Sequence, residues 1–591
     1  MSKKVIIAVA SVILVVGVVA SAIATVYRKR GDNTDLHRKF NIVSNFCLYT
    51  LYQESCWHTL NSVNSTNPKE FIAKAILAAE EATNKFFNYS DSLSIQVENN
   101  SLTKMALEDC KDMMNYAIDS FKASYSNVYD SELHNINVSI NDLRTWLSAG
   151  ISYQQSCLDG FEHNNNMKEI MQKGIVGASE LTRNALTIVT NLQNILSKFD
   201  FQLNITDTRK LLPIEKNNYP SWFSAKDRQL LTRIDNNNLK PNAIVAKDGN
   251  GQFNTIGAAL VAAPKNSNVR HVIYIKAGIY NEYITVDKQY TNILMYGDGP
   301  RKTIVTGRKS VKDGGGITTW QTATFSAIGN GFIAKSMGFQ NTAGPEKHQA
   351  VALRIQSDKS AFFNCRIDAY QDTLYNQVNR QFFRNCVISG TIDFIFGDSS
   401  TVIQNSLIIV RRPMDNQFNI VTAQGKDYID ENTGTVIQNC KIVPEKKLFS
   451  DRFKIATYLG RPWKKFSTTV IMESKLGDFI RPEGWISFEG LDKNNYEETI
   501  YYAEYNNHGP GSNINERVNW KGYHKINRTT AMKFTILSFL SSKENWLPLT
   551  AIPNLHEIKI KEEEEEEEEE EMNGHIKVAK RQKPIMTWTQ F

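Results

Sequence analysis

The feature that most constrains the fold is a short apolar unit ending in asparagine, which recurs through the second half of the chain. Its copies end at Asn341, Asn364, Asn385, Asn405 and Asn439, in steps of 23, 21, 20 and 34 residues. The segments between them are rich in Val, Ile and Phe and are broken by Gly, Asn and Asp. Such a period is typical of one coil of a parallel β-solenoid. The longest step predicts a coil with an inserted loop.

Three residues suited to acyl-transfer chemistry follow the same rhythm. Gln349, Gln371 and Asp393 are spaced 22 residues apart. Residues one coil apart in a solenoid stack at roughly 4.8 Å, which predicts a ladder on one face. Asp372 follows Gln371 directly, and Asp393 lies within the apolar run 390–397, where a charge is costly unless it is used or paired. Adjacent residues face opposite sides of a straight strand, so we expect a bend or strand end at Gln371 and Asp372.

The start of the chain carries a targeting segment. Residues 5–26 form an uncharged, almost wholly apolar run with basic residues on both sides. Its length suits a bilayer span, so residues 1–34 are predicted to be a signal anchor, with a cleaved signal peptide as the alternative. Both readings predict entry into the secretory pathway, with membrane contact before processing. Six possible glycosylation sequons agree with this: Asn64, Asn88, Asn99, Asn137, Asn204 and Asn527.

A helical region follows. Over residues 35–200, apolar side chains recur at three- and four-residue spacing, which predicts an all-α bundle. The region holds four of the seven cysteines, Cys47, Cys56, Cys110 and Cys157. An even set in an exported domain indicates two disulfides, and buried free thiols are the alternative.

The rest of the 591-residue chain divides into three segments. Residues 201–218 form a polar linker whose basic pair, Arg209 and Lys210, is a natural protease target. Residues 219–553 form the β region and carry more Lys and Arg than Asp and Glu, which predicts an anionic polymer as partner; nucleic acid is not expected outside the cell. Residues 554–591 include ten consecutive glutamates, 562–571, and are predicted to be a disordered acidic tail.

The helical region resembles the plant invertase/pectin-methylesterase inhibitor family. Four features carry this resemblance: Cys47 and Cys56 separated by eight residues, Leu107-Glu108-Asp109-Cys110, the segment 143–149, and Cys157-Leu158-Asp159-Gly160. The resemblance implies a four-helix bundle with disulfides Cys47–Cys56 and Cys110–Cys157. The linker motif Arg209-Lys210-Leu211-Leu212 is similar to the basic processing site of plant pectin methylesterases, which implies a processing protease.

The β region resembles plant pectin methylesterases. Six ordered motifs carry the resemblance: residues 245–249, 278–282, 349–354, 370–375, 390–397 and 459–463. It implies a right-handed parallel β-helix, hydrolysis of the methyl esters of homogalacturonan with release of methanol, an extracellular cell-wall location, no cofactor and no metal. Inhibitor proteins of the related family are implied as further partners.

The residue types support the same chemistry. The sequence contains neither a Gly-x-Ser-x-Gly elbow nor a His-Glu-x-x-His metal motif. Asp393 is the predicted nucleophile, Gln349 and Gln371 are predicted to donate hydrogen bonds to the oxyanion, and Asp372 is predicted to be the acid and base. Arg461 is expected to keep Asp393 ionised. A close pair of carboxylates would raise one pKa, so that Asp372 carries the proton.

Substrate contacts are predicted on the same face. Trp463 suits stacking on a sugar ring, and the resemblance adds Thr319 and Trp320, beside Gln349 and Arg461. A β-helix glycosidase and a non-catalytic pectin-binding protein are the alternative functions, because two carboxylates about one coil apart also suit glycoside hydrolysis. The helical bundle is predicted to inhibit its own catalytic domain, with a folding or retention role as the alternative.

One departure from the family concerns cysteine. Ser406 stands where the family commonly has a cysteine able to pair with the one at Cys440. Cys365, Cys386 and Cys440 are an odd number, so at least one free or intermolecularly paired thiol is expected.

Overall fold

The computed structural model describes residues 34–97, 101–131, 136–198, 240–314, 316–488 and 496–540. The apolar run 5–26, the linker motif 209–212 and the glutamates 562–571 lie outside the described residues, so the predictions made on them stay predictions. Across the described ranges, none of the helices combines the length and the apolar character needed to cross a bilayer.

The region before residue 199 is helical, as predicted. Four long helices of 24 to 29 residues are accompanied by three short ones. In chain order the helices are α1 (Thr34–Cys47), α2 (Gln53–Leu60), α3 (Pro68–Ser94), α4 (Leu102–Asp130), α5 (Ile136–Asp159), α6 (Asn165–Thr190) and α7 (Leu192–Ser197). The described residues of this region contain no strand.

The chain divides into two compact units. The first unit comprises Met1–Phe86, Ile118–Leu147 and Lys173–Thr206. Within it, the Cys47–Cys56 disulfide joins α1 to α2. The rings of Phe46 and Phe71 stack with 5.4 Å between centroids.

The second unit comprises Phe87–Ala117, Ser148–Gln172 and Asp207–Phe591. It therefore contains the β region together with parts of α3, α4, α5 and α6. The Cys110–Cys157 disulfide links α4 to α5 within the unit, so both predicted disulfides are confirmed. Four short helices also lie here: α8 (Ile256–Val261), α9 (Lys446–Phe449), α10 (Arg528–Ala531) and α11 (Ile536–Phe539).

The β region is a parallel β-helix built of three sheets, called here the long sheet, the cleft sheet and the third sheet. The long sheet contains β1 (Ala243–Val245), β2 (His271–Ile275), β5 (Ile293–Gly297), β8 (Ile333–Lys335), β11 (Ser360–Phe363), β14 (Arg380–Arg384), β17 (Ser400–Gln404), β20 (Gly434–Gln438), β23 (Thr468–Met472), β25 (Tyr501–Tyr505) and β26 (Tyr523–Lys525). The cleft sheet contains β4 (Ile284–Val286), β7 (Phe325–Ala327), β10 (Leu353–Ile355), β13 (Leu374–Asn376), β16 (Ile395–Gly397), β19 (Asn419–Gln424) and β22 (Thr457–Gly460). The third sheet contains β3 (Gly278–Asn281), β6 (Thr303–Gly307), β9 (Gly338–Asn341), β12 (Arg366–Asp368), β15 (Val387–Gly390), β18 (Leu407–Val410), β21 (Lys441–Pro444) and β24 (Lys475–Leu476).

Each complete coil visits the long sheet, the third sheet and the cleft sheet in that order, and its core is made of stacked identical positions. Phe362 pairs in register with Phe383, which pairs with Ile403 and so on to Ile437. All four side chains are fully buried, and the two Phe rings stack at 4.8 Å. Full burial of each such side chain contributes roughly 1.5 to 3 kcal/mol, so the apolar repeat stabilises the coil directly.

The asparagines of the repeat make the turn from the long sheet to the third sheet. Asn364, Asn385, Asn405 and Asn439 all have positive φ, between 51° and 52°, a conformation that Asn tolerates better than most residues. Neighbouring members also bond each other, as where Asn439 Nδ2 donates to Asn405 Oδ1 at 2.9 Å.

One assignment in the repeat was wrong. Asn341 ends β9 instead of making this turn, and its amide donates to the Lys309 carbonyl at 2.9 Å. The residue at the turn of that coil is Ser336, with φ 55°, and Asn364 Nδ2 donates to its hydroxyl at 3.0 Å. Because the turn of this coil is made by Ser336 and not by Asn341, the coil contains more residues than the asparagine spacing indicates.

Candidate active site

The predicted catalytic residues lie in the turns that enter the cleft sheet. The Ala350 N–H donates to the Gln371 carbonyl at 3.2 Å, and the Asp372 N–H donates to the Ile392 carbonyl at 3.0 Å. Gln349, Gln371 and Asp393 are thus brought together on three successive coils, as the repeat predicts.

The stacking differs from a strict ladder by one residue per coil. The strands of the cleft sheet pair with a 21-residue step, Leu353 with Leu374 and Leu374 with Ile395. Gln349, Gln371 and Asp393 are spaced by 22 residues, one more than this step. Each of them therefore lies one position closer to the start of the following strand than the one before it. The prediction of a flat ladder at constant strand spacing was wrong in this respect, because the residues lie in turns and not in strands.

Positive φ angles produce the bend expected at Gln371 and Asp372. Asp372 has φ 61° and Asp393 has φ 49°. Left-handed backbone is unusual for a non-glycine residue and is concentrated at functional sites. This backbone conformation directs the two carboxylates away from the alternating side-chain directions of a regular strand.

Arg461 holds Asp393 with two hydrogen bonds. Arg461 Nε donates to Asp393 Oδ1 at 2.9 Å, and Nη2 donates to Oδ2 at 2.5 Å. Such a two-point contact fixes the plane of the carboxylate as well as its position. Burial raises the pKa of Asp393, and the charge and hydrogen bonds of Arg461 oppose that rise.

The surroundings of Asp372 act on its pKa differently. Burial raises the pKa of Asp372 well above its ordinary range, and the negative charge of Asp393 raises it further, while Arg461 acts in the opposite direction. The two carboxyl groups are both about 8% exposed, so the difference comes from the guanidinium bonded to Asp393.

The two glutamines differ in what the structure shows of their side chains. Gln371 Oε1 is buried and has no hydrogen-bond partner among the described residues. A buried amide atom without a partner is costly unless a ligand satisfies it. Gln349 is half-buried, and its carbonyl accepts from the Val311 N–H at 3.1 Å.

Aromatic rings extend the site across neighbouring coils. Tyr375 and Phe396 stack with 4.3 Å between centroids, and Trp463 lies 6.0 Å from Phe396. Gly425 leaves room for Trp463, since a Cβ there would lie 2.8 Å from the indole ring. The sequence analysis singled out Trp463 and missed the two rings beside it.

The other two predicted substrate contacts lie in a 3-10 helix, Thr319–Thr322. Thr319 is half-buried, and Trp320 is only 8% exposed. The guanidinium of Arg354 lies 3.4 Å from the centre of the Trp320 ring, so one ring face is already occupied. Their substrate contacts stay predictions.

Among the described residues, no group of three or more His, Cys, Asp or Glu side chains is placed to hold a metal ion.

Comparison with known proteins agrees with this geometry. The pectinesterase family profile matches residues 242–543, and that of the plant invertase/pectin methylesterase inhibitor matches residues 41–188. A probable pectinesterase/pectinesterase inhibitor of Arabidopsis thaliana, number 21, is 40% identical and aligns over 93% of this chain and 82% of its own length. The chain belongs to the pectinesterase family.

Two further relatives define how far the similarity extends. Arabidopsis thaliana pectinesterase 4 is 39% identical over 94% of this chain and 99% of its own length. The solved structure of a pectin methylesterase from carrot is 46% identical, covers 55% of this chain and all of the carrot chain, and has a TM-score of 0.53. This pectinesterase therefore has the predicted right-handed β-helix. Its family membership also favours an esterase over the alternative of a glycosidase.

Within the second unit of this pectinesterase, a row of serines lies against the cleft sheet. Ser148, Ser152 and Ser156 recur at four-residue spacing on α5 and are buried, as residues on one helix face are. Their partners on the β-helix are Asn432 Oδ1 at 3.2 Å, the Gln377 carbonyl at 3.4 Å and the Tyr375 hydroxyl at 3.5 Å. The four-residue spacing of these serines is visible in the sequence, but their contact with the β-helix was not predicted.

Little space remains under α5. The cavity lined by Ser152, Ser156, Tyr375, Gln377 and Trp463 has a volume of about 10 Å³, enough for about one water molecule.

Two carboxylates complete the contact, and the sequence analysis assigned neither. Asp109 of α4 accepts hydrogen bonds from the Thr318 hydroxyl and from Gln321 Nε2, the latter at 2.8 Å. Asp159, the last residue of α5, pairs with Lys464 at 2.5 Å. Both lie in motifs that carry the resemblance to the inhibitor family, which was the available signal.

Proposed function

We propose that this pectinesterase removes methyl groups from homogalacturonan by a double displacement on Asp393. The two-point contact of Arg461 with Asp393, beside the buried Asp372 with its raised pKa, carries the proposal. A carboxylate fixed in orientation next to a neutral carboxylic acid supplies a nucleophile and a proton donor at the same place.

In the first step the Asp393 carboxylate adds to the ester carbonyl carbon, and the carbonyl electrons move onto oxygen. The amides of Gln349 and Gln371 donate hydrogen bonds to this oxyanion. Its collapse breaks the bond to methoxide, which leaves as methanol with the proton of Asp372. The product of this step is an acyl-enzyme on Asp393.

In the second step a water molecule gives a proton to Asp372 and adds to the same carbon. Collapse restores the carboxylate of Asp393 and leaves a free galacturonic acid group on the polymer. Asp372 ends the cycle protonated, as it began. Trp463 stacks on a sugar ring of the substrate, and Thr319 and Trp320 contact the polymer beside it.

The test measures two products from methyl-esterified homogalacturonan. We expect methanol without new reducing ends, because ester hydrolysis leaves the glycosidic bonds intact. Acid quenching during turnover, followed by peptide mass spectrometry, should find the acyl group on Asp393 alone. Reducing ends without methanol would reject the reaction, and binding without either product would leave a pectin-binding protein.

We also propose that α5 suppresses this activity in the uncut chain. The buried serine row and the small cavity beneath it support the proposal, because α5 fills space that a sugar chain needs. Replacing Ser152 with Phe adds a ring where about 10 Å³ is free, so α5 should be displaced and methanol release should rise several-fold.

The matched control is Ser92→Phe, which adds the same ring at an exposed position of α3. It should leave the rate unchanged. Equal rates for the two variants and the unmodified chain would reject suppression by α5 and favour a folding or retention role.

Finally, we propose that residues 5–26 direct the chain into the secretory pathway and that a protease cuts at Arg209–Lys210 on the way to the cell wall. The apolar run, the sequons and the linker motif support this route. The test is N-terminal sequencing of the protein recovered from the wall of expressing plant cells. We expect a new N-terminus close to Leu211. A recovered chain that still contains residues 35–200 would contradict the proposed cut.

A further inference from the structure

Two buried carboxyl groups are in contact beside the candidate active site, and the proposed reaction uses neither of them. Asp398 follows β16, and Glu431 lies in the loop between β19 and β20. The two residues are 5% and 1% exposed, and their side chains are hydrogen-bonded to each other. A carboxylate can only accept a hydrogen bond. The contact therefore needs a proton on one of the two carboxyl groups.

The other contacts of the pair leave one oxygen on each residue for this proton. Asp398 Oδ1 accepts hydrogen bonds from Gln424 Nε2 at 3.1 Å and from the Thr433 hydroxyl at 2.5 Å. Glu431 Oε1 accepts from the backbone N–H groups of residues 427–428. Asp398 Oδ2 and Glu431 Oε2 are buried, and the rest of the described chain donates no hydrogen bond to either. A proton shared between these two oxygens satisfies both of them.

The charged side chains described around the pair offset one another, so they do not replace this proton. The other titratable residues around the pair are Lys426, Asp427 and Tyr428 in the same loop, Tyr375 on β13, Lys464 after β22 and Asp159 on α5. Lys426 and Asp427 act on the pair in opposite directions. Lys464 is paired with Asp159 at 2.5 Å. Two carboxylates without a cation between them repel each other strongly inside a protein.

The shared proton leaves the pair only at high pH. Burial raises the pKa of Asp398 to about 6. Burial, and then the charge of Asp398, raise the pKa of Glu431 well above its ordinary value. Both pKa values belong to the pair, because the two groups compete for the same proton. As pH rises through about 6 the pair therefore goes from two protons to one, and the hydrogen bond is lost only when the last proton leaves at higher pH.

The pair is linked to the Trp463 ring through the end of β19. Gln424, whose side chain donates to Asp398, accepts the Trp463 N–H on its backbone carbonyl at 3.1 Å. The next residue, Gly425, lies so close to the indole that a Cβ there would be 2.8 Å from it. Asp398, Gly425 and Trp463 line the same cavity of about 10 Å³. A movement of the loop 425–433 would therefore change the support of the ring.

We propose that Asp398 and Glu431 are positioning residues for Trp463: one proton shared between their carboxyl groups holds the loop 425–433 against the indole ring, and its loss at alkaline pH releases the loop. The proposal rests on the proposed stacking of Trp463 on the substrate. It assigns to this enzyme an alkaline loss of substrate affinity that is independent of Asp393 and Asp372.

The first experiment observes Trp463 directly, by fluorine NMR of the full-length chain labelled with fluorotryptophan. The Trp463 resonance is assigned from its absence in Trp463→Phe. We expect this resonance to shift in the unmodified chain as pH rises above about 6. It should stay fixed in Glu431→Gln, because the glutamine amide donates to Asp398 at every pH.

Two further variants control the fluorine experiment. Asp398→Asn places the donor on the other side of the contact and should also keep the resonance fixed, so that failure of one variant to fold leaves the other. Glu498→Gln removes a carboxylate at an exposed position and should behave like the unmodified chain. A Trp463 resonance that does not move in the unmodified chain, or that moves equally in the amide variants, would overturn the proposal.

The second experiment measures KM and kcat for methanol release from methyl-esterified homogalacturonan. Every protein carries Ser148→Ala, because Ser148 of α5 is hydrogen-bonded to Asn432 of the same loop. As pH rises above about 6, we expect KM to rise several-fold more in the protein with Glu431 than in its Glu431→Gln variant. The ratio of their kcat values should stay constant, since Asp393 and Asp372 are unchanged.

The outcomes separate this inference from the proposed function. Equal pH dependence of KM in the two proteins, with methanol still released, would overturn the effect on substrate binding and leave the ester hydrolysis intact. Absence of methanol from every protein would overturn the proposed function. The fluorine experiment would then still decide whether the shared proton holds Trp463 in place.

Discussion

At the scale of single residues, the two carboxylates of the site differ in what surrounds them. Arg461 bonds both oxygens of Asp393, whereas burial and the charge of Asp393 raise the pKa of Asp372. Both sit in left-handed turns, so their side chains leave the strand pattern at the same edge of the cleft sheet. The proposed function assigns the ionised carboxylate to Asp393 and the proton to Asp372.

This division of roles predicts different responses to mutation. Asp393→Asn removes the nucleophile and should reduce turnover by several orders of magnitude while pectin binding survives. Asp372→Asn removes proton donation, worth about 10² to 10⁴ in rate. An activated aryl ester, whose leaving oxygen needs no proton, should partly restore activity to Asp372→Asn and not to Asp393→Asn. Restoration in Asp393→Asn instead would exchange the two roles.

At the scale of elements, α4 and α5 contact the β-helix through polar groups. Three serines, Asp109 and Asp159 make these contacts. Hydrogen bonds and ion pairs of this kind are geometrically specific but contribute modestly each. A polar surface of this type can separate without exposing a large apolar area, as the proposed suppression by α5 requires.

Asp109 makes the contact of α4 sensitive to pH. Burial raises the pKa of Asp109 from 3.8 to about 6, against the hydrogen bonds of Thr318 and Gln321 and the charge of Arg354; Asp112 adds to the rise. A raised pKa means that the protonated acid is favoured in the folded state. The stability that the protonated Asp109 provides is fully present below pH 3.8, the ordinary pKa of this group. It is lost as pH rises through about 6.

We therefore expect the full chain to lose unfolding free energy as pH rises from about 4 to about 6, by about 3 kcal/mol at most from this group. Asp109→Asn keeps the size and cannot ionise, so its melting temperature should fall less over the same interval. Glu108→Gln removes a carboxylate at an exposed position of the same helix and is the control. Equal pH dependence in the unmodified chain and Asp109→Asn would contradict the prediction.

At the scale of the whole molecule, the seven cysteines divide between two kinds of environment. Four form the disulfides of the helical region. Cys365, Cys386 and Cys440 are free and buried in the β-helix core, where serines take the equivalent positions of other coils: the Ser406 hydroxyl accepts from the Cys386 N–H. Free thiols in such a place act as small apolar side chains.

Thiol labelling tests this division. The native chain should not react, because the free thiols are buried. Denaturation without reductant should expose three thiols per chain, and denaturation with reductant should expose all seven. Labelling of one or five thiols in the denatured, unreduced chain would show a different pairing.

The sequence by itself determined the parts of the protein that repeat or that lie in short local motifs. The spacing of Asn364, Asn385 and Asn405 defines the coils, because residues one coil apart occupy equivalent turns and stack directly. Gln349, Gln371 and Asp393 fall on three successive coils for the same reason. The two disulfides and the four long helices were also predicted correctly.

Only the tertiary structure decided where these residues point and what covers them. The left-handed turns at Asp372 and Asp393, and the serine at position 336 that replaces an asparagine, depend on how each coil closes and not on the period. The contacts of Ser152 and Asp159 join residues more than 200 positions apart. Such contacts follow from packing between distant segments, which a local pattern does not encode; for that reason the pairing of Lys464 with Asp159 became visible only in the folded chain.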